Sequence, residues 1–262
     1  MNKQSVHVEN AWKILESHWK IQPRKGMISY TPGYSILRFI FSPIIRGIAR
    51  INATGSEHIP GSGAAILAAN HLSHVDPIVV IASSRRKVHY LAKDAHFKNF
   101  FLRLFMNSTG QIETHREEGG DSALASAADV LVANAALGIF PEGTRSKNTQ
   151  QPFLLPGKTG IARLAASFPR TPVIPIALVG TRDMMAPQKD KFPKLWLYVQ
   201  VNYGQKITWI DWLSNPKGGG MTVEDIEELA QQGEHEIKAA IAKLYRKFTD
   251  QLMQSISSLG AP

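Results

Sequence analysis

Short apolar runs alternate with helix-spaced segments along most of the chain. Ala64–Ala69 (AAILAA) is apolar without interruption, the pattern of a strand buried on both faces. After a polar turn, Pro77–Ser84 (PIVVIASS) predicts a short helix with Asp76 as N-cap and Pro77 at the first helical position. Val88–Ala92, Leu137–Phe140 and Val173–Gly180 predict further buried strands, and Gly110–Arg116 a short strand entering a loop. Lys194–Gly204 alternates as a strand near a sheet edge does. Helical spacing runs over His96–Asn107, Asp121–Asn134 (capped by Asp121), Gly157–Phe168, and Thr222 to about Ser258. Thr222 and Asp225 open the last of these as a capping box. Strands alternating with helices predict an α/β fold: a single domain over residues 51–262, with a mostly parallel or mixed sheet flanked by helices. Asn215–Met221 (NPKGGGM) is the one flexible joint expected.

Residues 1–50 differ in kind. Tyr34–Arg50 (YSILRFIFSPIIRGIAR) is apolar on most sides, with Arg38, Arg46 and Arg50 near one face and Pro43 interrupting it. Two placements fit: an amphipathic helix in a membrane interface, or a core-packed helix with three exposed arginines. No run approaches the roughly 20 apolar residues of a membrane span.

Charge sharpens this picture. The 262 residues carry 30 Lys and Arg against 21 Asp and Glu, a net +9. The first fifty hold eight basic residues against Glu9 and Glu16, a net +6. A second basic cluster is Arg85, Arg86, Lys87, Lys93, Lys98 and Arg103, offset by Asp94. Such faces attract nucleic acid, anionic lipid or phosphorylated substrates, or simply keep a protein soluble. There is no cysteine, which excludes disulfides, thiolate ligands and a thiol nucleophile.

Candidate chemistry begins where the first buried strand ends. Asn70–Pro77 (NHLSHVDP) holds two histidines, a serine and an aspartate. A serine triad through Ser73 lacks the small neighbours of a nucleophile elbow. A metal site of His71, His74 and Asp76 has neither the H-E-x-x-H nor the H-x-H-x-D spacing. A His71–Asp76 dyad is the third reading. On one continuous helix the two would stand about 140° apart, but a strand–turn–helix lets them meet. The carboxylate would then fix the imidazole tautomer and leave the other nitrogen as a base. The plain alternative is Asp76 as an ordinary cap and His71 as a polar strand end. Downstream, Pro141–Ser146 (PEGTRS) follows a strand and places a glycine, a hydroxyl and a guanidinium in one turn, chemistry that suits an anion. The run G-K-T at Gly157–Thr159 lacks the first glycine of a phosphate loop, so Lys158 is at most an added cation. His74 is expected to have no required role.

Four blocks in order carry a resemblance: Asn70-His71-x4-Asp76-Pro77; Gly110-x-Ile112-x3-Arg116; Phe140-Pro141-Glu142-Gly143-Thr144-Arg145-Ser146; and Val173–Leu178 (VIPIAL). Over roughly residues 55–205 the chain resembles the glycerolipid acyltransferase family, that of the bacterial 1-acylglycerol-3-phosphate acyltransferases. The second block departs from the family, with Glu113 and His115 where an apolar and an acidic residue are usual. The resemblance implies an O-acyltransferase of phospholipid synthesis. Its donor would be acyl-CoA or acyl carrier protein, and its acceptor a lysophosphatidic-acid-type alcohol. It implies His71 as general base and Asp76 as its orienter. It implies Lys93, Arg116, Glu142, Gly143, Thr144 and Arg145 around the acceptor and its phosphate. No metal or cofactor is needed. An acceptor in the bilayer favours the interfacial placement of residues 1–50, as a basic membrane-docking segment on the anionic cytoplasmic leaflet, peripheral or monotopic. Removing residues 1–50 is then expected to leave a folded domain that no longer sediments with anionic vesicles. Competing expectations are the same chemistry on glycerol 3-phosphate or a glycolipid, a metal-dependent hydrolase, and a basic nucleic-acid-binding protein. No nucleic-acid recognition motif supports the last.

Overall fold

The structure is a computed structural model, and it describes residues 3–28, 31, 33–93, 110–114, 119–187, 189–190 and 192–262. Seven strands among the described residues form one mixed sheet: β1 (Ile51–Thr54), β2 (Ala65–Ala69), β3 (Val88–Lys93), β4 (Ile112–Thr114), β5 (Ala136–Ile139), β6 (Val173–Val179) and β7 (Val199–Tyr203). Their order is β1-β7-β6-β2-β5-β3-β4. Strands β6, β2, β5, β3 and β4 run parallel, and β1 and β7 run parallel to each other but antiparallel to β6. The expected α/β architecture is therefore present. One strand escaped the pattern: Ile51–Thr54, with a single buried residue in four, gives no apolar run. β1 takes the edge, and Lys194–Gly204 contributes β7 next to it, near the sheet edge as its alternation predicts.

Helices cover both faces, so the central strands are apolar throughout. On β2, Ile66 and Ala68 face one core, with Ala65, Leu67 and Ala69 facing the other. The first core takes helices Lys3–Ile14, Gly119–Val132, Gly160–Ser167, Trp209–Ser214 and Glu234–Ser258. The second takes helix Asp76–Ser83 and the end of the helical run Gly33–Ile48.

The first fifty residues fall into two parts. Helix Lys3–Ile14 and the turn after it belong to the core: Trp12 stacks on Trp19 with ring centroids 5.7 Å apart and meets Trp209 at 5.5 Å. Ser167 Oγ donates to Trp19 O, and Asp129 accepts the amides of Lys25 and Gly26. Deleting residues 1–50 would strip buried tryptophans from the core, so the deletion is not a neutral test of docking. Gly33–Ile48 behaves differently. It is helical, with π geometry over Leu37–Phe41 just before Pro43, whose missing N–H breaks the regular ladder. Ile36, Phe39, Ile40, Phe41 and Ile44 are exposed, while Tyr34 is buried. The side chains of Ser35, Leu37 and Arg38 lie outside the described set.

Other expectations need correcting. The helix from Thr222 breaks at Gln231–Gly233 into Val223–Ala230 and Glu234–Ser258, although the Thr222–Asp225 capping box is formed. Asp121 lies inside the helix Gly119–Val132 and pairs with Arg163 at 2.7 Å rather than capping. The helix expected from Gly157 starts at Gly160. Asn215–Met221 is a hydrogen-bonded turn, with Gly219 and Met221 amides donating to Trp212 and Leu213 carbonyls, and not a joint. In the second basic cluster Arg86 is buried, its guanidinium donating to the carbonyls of Pro60, Ser62 and Gly63. Lys98, Arg103 and the helix expected at His96–Asn107 lie outside the described residues.

Candidate active site

β2, β5, β3, β4 and β6 all end at the same edge of the sheet, the edge where parallel α/β sheets gather ligands. The chain leaves β2 through Asn70, whose side chain donates to Leu178 O at 3.0 Å and accepts from Leu178 N at 2.7 Å. That pair continues the ladder to β6 by one residue and starts the turn from a fixed point.

Within the turn, His71 Nδ1 lies 2.8 Å from Asp76 Oδ2. The same oxygen accepts the amides of Leu72 and Ser73, each at 2.7 Å. Asp76 is thus not a cap for the helix ahead of it. It is the first residue of Asp76–Ser83, and its carboxylate turns back to gather the donors behind it. The backbone donors already hold the carboxylate, so the imidazole meets an acceptor that is in place beforehand. Nδ1 is the ring nitrogen that meets the carboxylate, and among the described residues no hydrogen bond occupies Nε2. The ring stacks on Phe140 (centroids 3.9 Å apart, planes 10° apart), and Phe140 stacks on Tyr90 at 5.3 Å. Gly138 makes room for this stack, because a Cβ there would meet Tyr90 Cζ at 2.2 Å. The ring keeps 17% of its surface exposed, while the Asp76 side chain has none.

The second turn is tied to the first. Glu142, buried, accepts His71 N at 2.6 Å on one oxygen and Leu155 N at 2.9 Å on the other. Ser146 N returns a bond to His71 O at 3.1 Å. Burial pushes the Glu142 carboxyl up to about 7; the two amide donors pull against this, and the nearby charge of Asp76 adds to it. Gly143 and Thr144 are exposed at the tip of the turn. Gly143 has φ +68°, and the Lys158 side chain lies across it, with Cδ, Cε and Nζ each 3.1 Å from where a Cβ would stand. The Arg145 guanidinium rests against the His74 imidazole.

Of the sequence candidates, His71, Asp76, Glu142, Gly143, Thr144 and Arg145 come together at this edge. Lys93 ends β3 there, with its side chain outside the described set, and Arg116 lies outside the described residues. Glu142 faces backbone amides instead of the open site. Ser73 is buried and donates to Met185 O at 2.6 Å, so its hydroxyl is bound to the backbone and not presented as a nucleophile. His74 contacts Arg145 and does not converge with His71 and Asp76. Sequence reasoning passed over Arg182, whose guanidinium donates to Ser146 O at 3.1 Å and to Asn148 O, fixing the chain beyond the second turn. Its only signal was a second Gly-Thr-Arg, at Gly180–Arg182, following a buried strand.

Residues 50–179 match the sequence model of the family described as Acyltransferase, and they include both turns. This segment belongs to the acyltransferase family. The chain is 26% identical over 131 residues to a 1-acyl-sn-glycerol-3-phosphate acyltransferase of Bacillus subtilis, a match covering 50% of this chain and 63% of that one. It is 28% identical over 136 residues to the protein of that name in Borreliella burgdorferi, covering 51% and 53%. A human 1-acyl-sn-glycerol-3-phosphate acyltransferase alpha is 25% identical over 189 residues, covering 71% of this chain and 62% of that one. The chain thus spans between about half and two thirds of these relatives. The fold is similar to that of the 1-acyl-sn-glycerophosphate acyltransferase of Thermotoga maritima in its crystal structure, at a TM-score of 0.51 and 15% identity over 95% of both chains.

Proposed function

We propose that the chain is an O-acyltransferase that moves an acyl group from acyl-CoA or acyl carrier protein to the free hydroxyl of a lysophosphatidic-acid-type acceptor, giving phosphatidic acid. The observation that carries this reading is the His71 Nδ1–Asp76 Oδ2 bond at 2.8 Å, with Nε2 left open beside the Glu-Gly-Thr-Arg turn. An alcohol is a poor nucleophile until its proton is taken. His71 Nε2 takes that proton as the acceptor oxygen attacks the thioester carbonyl, and Asp76 stabilises the imidazolium that forms. Collapse of the tetrahedral intermediate breaks the C–S bond. The leaving thiolate takes the proton from the imidazolium and departs as thiol. No covalent enzyme intermediate is involved. Gly143, Thr144, Arg145 and Lys158 would face the acceptor phosphate, with Arg116 and Lys93 as further cations. Glu142 shapes the site by holding the His71 amide. The names of the relatives support the acceptor class.

Among the described residues no helix is long and apolar enough to cross a membrane. The exposed apolar residues of Gly33–Ile48, with Arg46 and Arg50 beside them, favour docking on an anionic leaflet, the cytoplasmic one.

The test is thiol release from an acyl-CoA by the full chain, with and without lysophosphatidic acid, for wild type and His71→Ala. Release that needs both acceptor and His71 is expected. Acceptor-independent release would make the chain a thioesterase and overturn the reading. No release with acyl-CoA or with acyl carrier protein would do the same.

A further inference from the structure

Phe192, Leu195, Trp196 and Tyr198 are all exposed within seven residues, Phe192 at 81% and Trp196 at 62%. Single exposed apolar residues are ordinary, but a cluster of this kind marks a contact surface. Trp196 holds a left-handed backbone (φ 65°), a conformation that disfavours a bulky residue. Its amide donates to Ile48 O at 2.9 Å, at the end of the exposed helix, and Tyr198 Oη accepts from Asn52 at 2.9 Å. The loop is therefore bonded to the C-terminal end of Gly33–Ile48 and to β1 just beyond it.

Topology sets where this joint surface lies. β1 and β7 run antiparallel to β6, so both begin at the edge where β2, β5 and β6 end. Ile48 lies just before β1 and Tyr198 just before β7. The C-terminal end of the exposed helix and the end of the loop thus stand at the dyad edge. A bonded path runs back to it: Lys194 N donates to Met184 O at 2.8 Å, and Met185 O accepts Ser73 Oγ in the dyad turn.

We infer that the Phe192–Tyr198 loop is a second bilayer anchor, which together with Gly33–Ile48 holds the His71 edge against the headgroups. The occupant is an anionic lipid surface. Two rings with polar tips, Trp196 and Tyr198, match the composition of an interfacial belt. Lys189, Lys194, Arg46 and Arg50 are exposed around them, with Asp190 paired to Lys194 at 3.4 Å. Two anchors on one edge fix an orientation that one helix leaves free to roll.

The inference rests on the docking reading above, and the test separates the two. Binding of the full chain to phosphatidylglycerol–phosphatidylcholine vesicles is measured by sedimentation, and tryptophan quenching by the same vesicles made with acyl-brominated lipid. Trp12, Trp19, Trp209 and Trp212 are buried, so Trp196 is the ring a lipid can reach. Wild type is expected to bind and be quenched. Trp196→Phe should bind within about twofold of wild type yet lose the quenching, and F192S/W196S should bind at least tenfold more weakly with an unchanged unfolding midpoint. Should I40S/I44S abolish binding while F192S/W196S binds as wild type does, docking stands and the loop anchor falls. Quenching that persists in Trp196→Phe also overturns the anchor. If wild type does not bind, both fall. A vesicle-free dimer that F192S/W196S dissociates would assign the surface to a second copy instead.

Discussion

The turns after β2 and β5 leave neighbouring parallel strands at the same edge, and each is organised by a buried carboxylate. Asp76 collects two amides and an imidazole on a single oxygen. Glu142 collects two amides, one on each oxygen, and no ionisable donor. The first carboxylate therefore has a partner that can become a cation during a reaction. The second has only fixed dipoles, and burial lifts it to about 7. Equal burial thus gives two different settings: under the proposed function the Asp76 carboxylate would serve proton transfer, while Glu142 holds the backbone at His71.

The largest effect is expected at the His71–Asp76 pair. His71→Ala and Asp76→Asn should each lower acceptor-dependent thiol release by about 10²–10⁴-fold. An Asp76→Asn enzyme with near wild-type turnover would remove the distinction between the two carboxylates. At Glu142 the main effect should fall on stability. Glu142→Gln turns an amide NH₂ toward one of the two backbone donors and should cost about 1–3 kcal/mol in urea unfolding. It should also change the pH profile. The folded carboxyl titrates at about 7 and the unfolded one near 4.3, so the folded chain binds more protons between those values. Wild-type stability attributable to this group is complete below about pH 4 and is lost as pH rises through about 7. The difference is on the order of 3 kcal/mol, and Glu142→Gln should flatten it. A profile unchanged by the substitution would show that Glu142 does not titrate in that window. Gly138→Ala pushes a methyl into the Tyr90 ring that supports Phe140 and His71. About 1–3 kcal/mol of destabilisation is expected, with a lower kcat. The smallest effect should come from Lys158→Gln: a several-fold higher KM for a phosphate-bearing acceptor and an unchanged KM for acyl-CoA. Equal changes in both constants would take Lys158 out of the acceptor site.

Much of the framework was legible along the chain. Uninterrupted apolar runs announced β2, β5 and β6, and the two polar blocks beyond β2 and β5 announced the site. The missed features share a cause. β1 is half exposed and has no apolar run. The break at Gln231–Gly233 lies inside a nearly continuous helical pattern. Local periodicity does not mark Trp12 as core, because Trp209, which it packs against, is far along the chain. Glu142 looked like an acceptor ligand because its type and spacing do not reveal where its oxygens point.

Read along the chain alone, the residues establish that strands and helices alternate, that His71 and Asp76 lie in one short polar segment after a buried strand, and that Tyr34–Arg50 is apolar with basic residues on one side. Those properties depend on local periodicity and on residues a few positions apart. The folded sheet was needed to show which amides Glu142 holds, which ring stacks on His71, and that the Trp196 amide bonds to Ile48 O. Each of these depends on strand order and direction, which bring together segments some 70 to 150 residues apart in the chain. Local pattern carries no record of such pairings, because the burial and hydrogen bonding that stabilise them exist only once the sheet has formed.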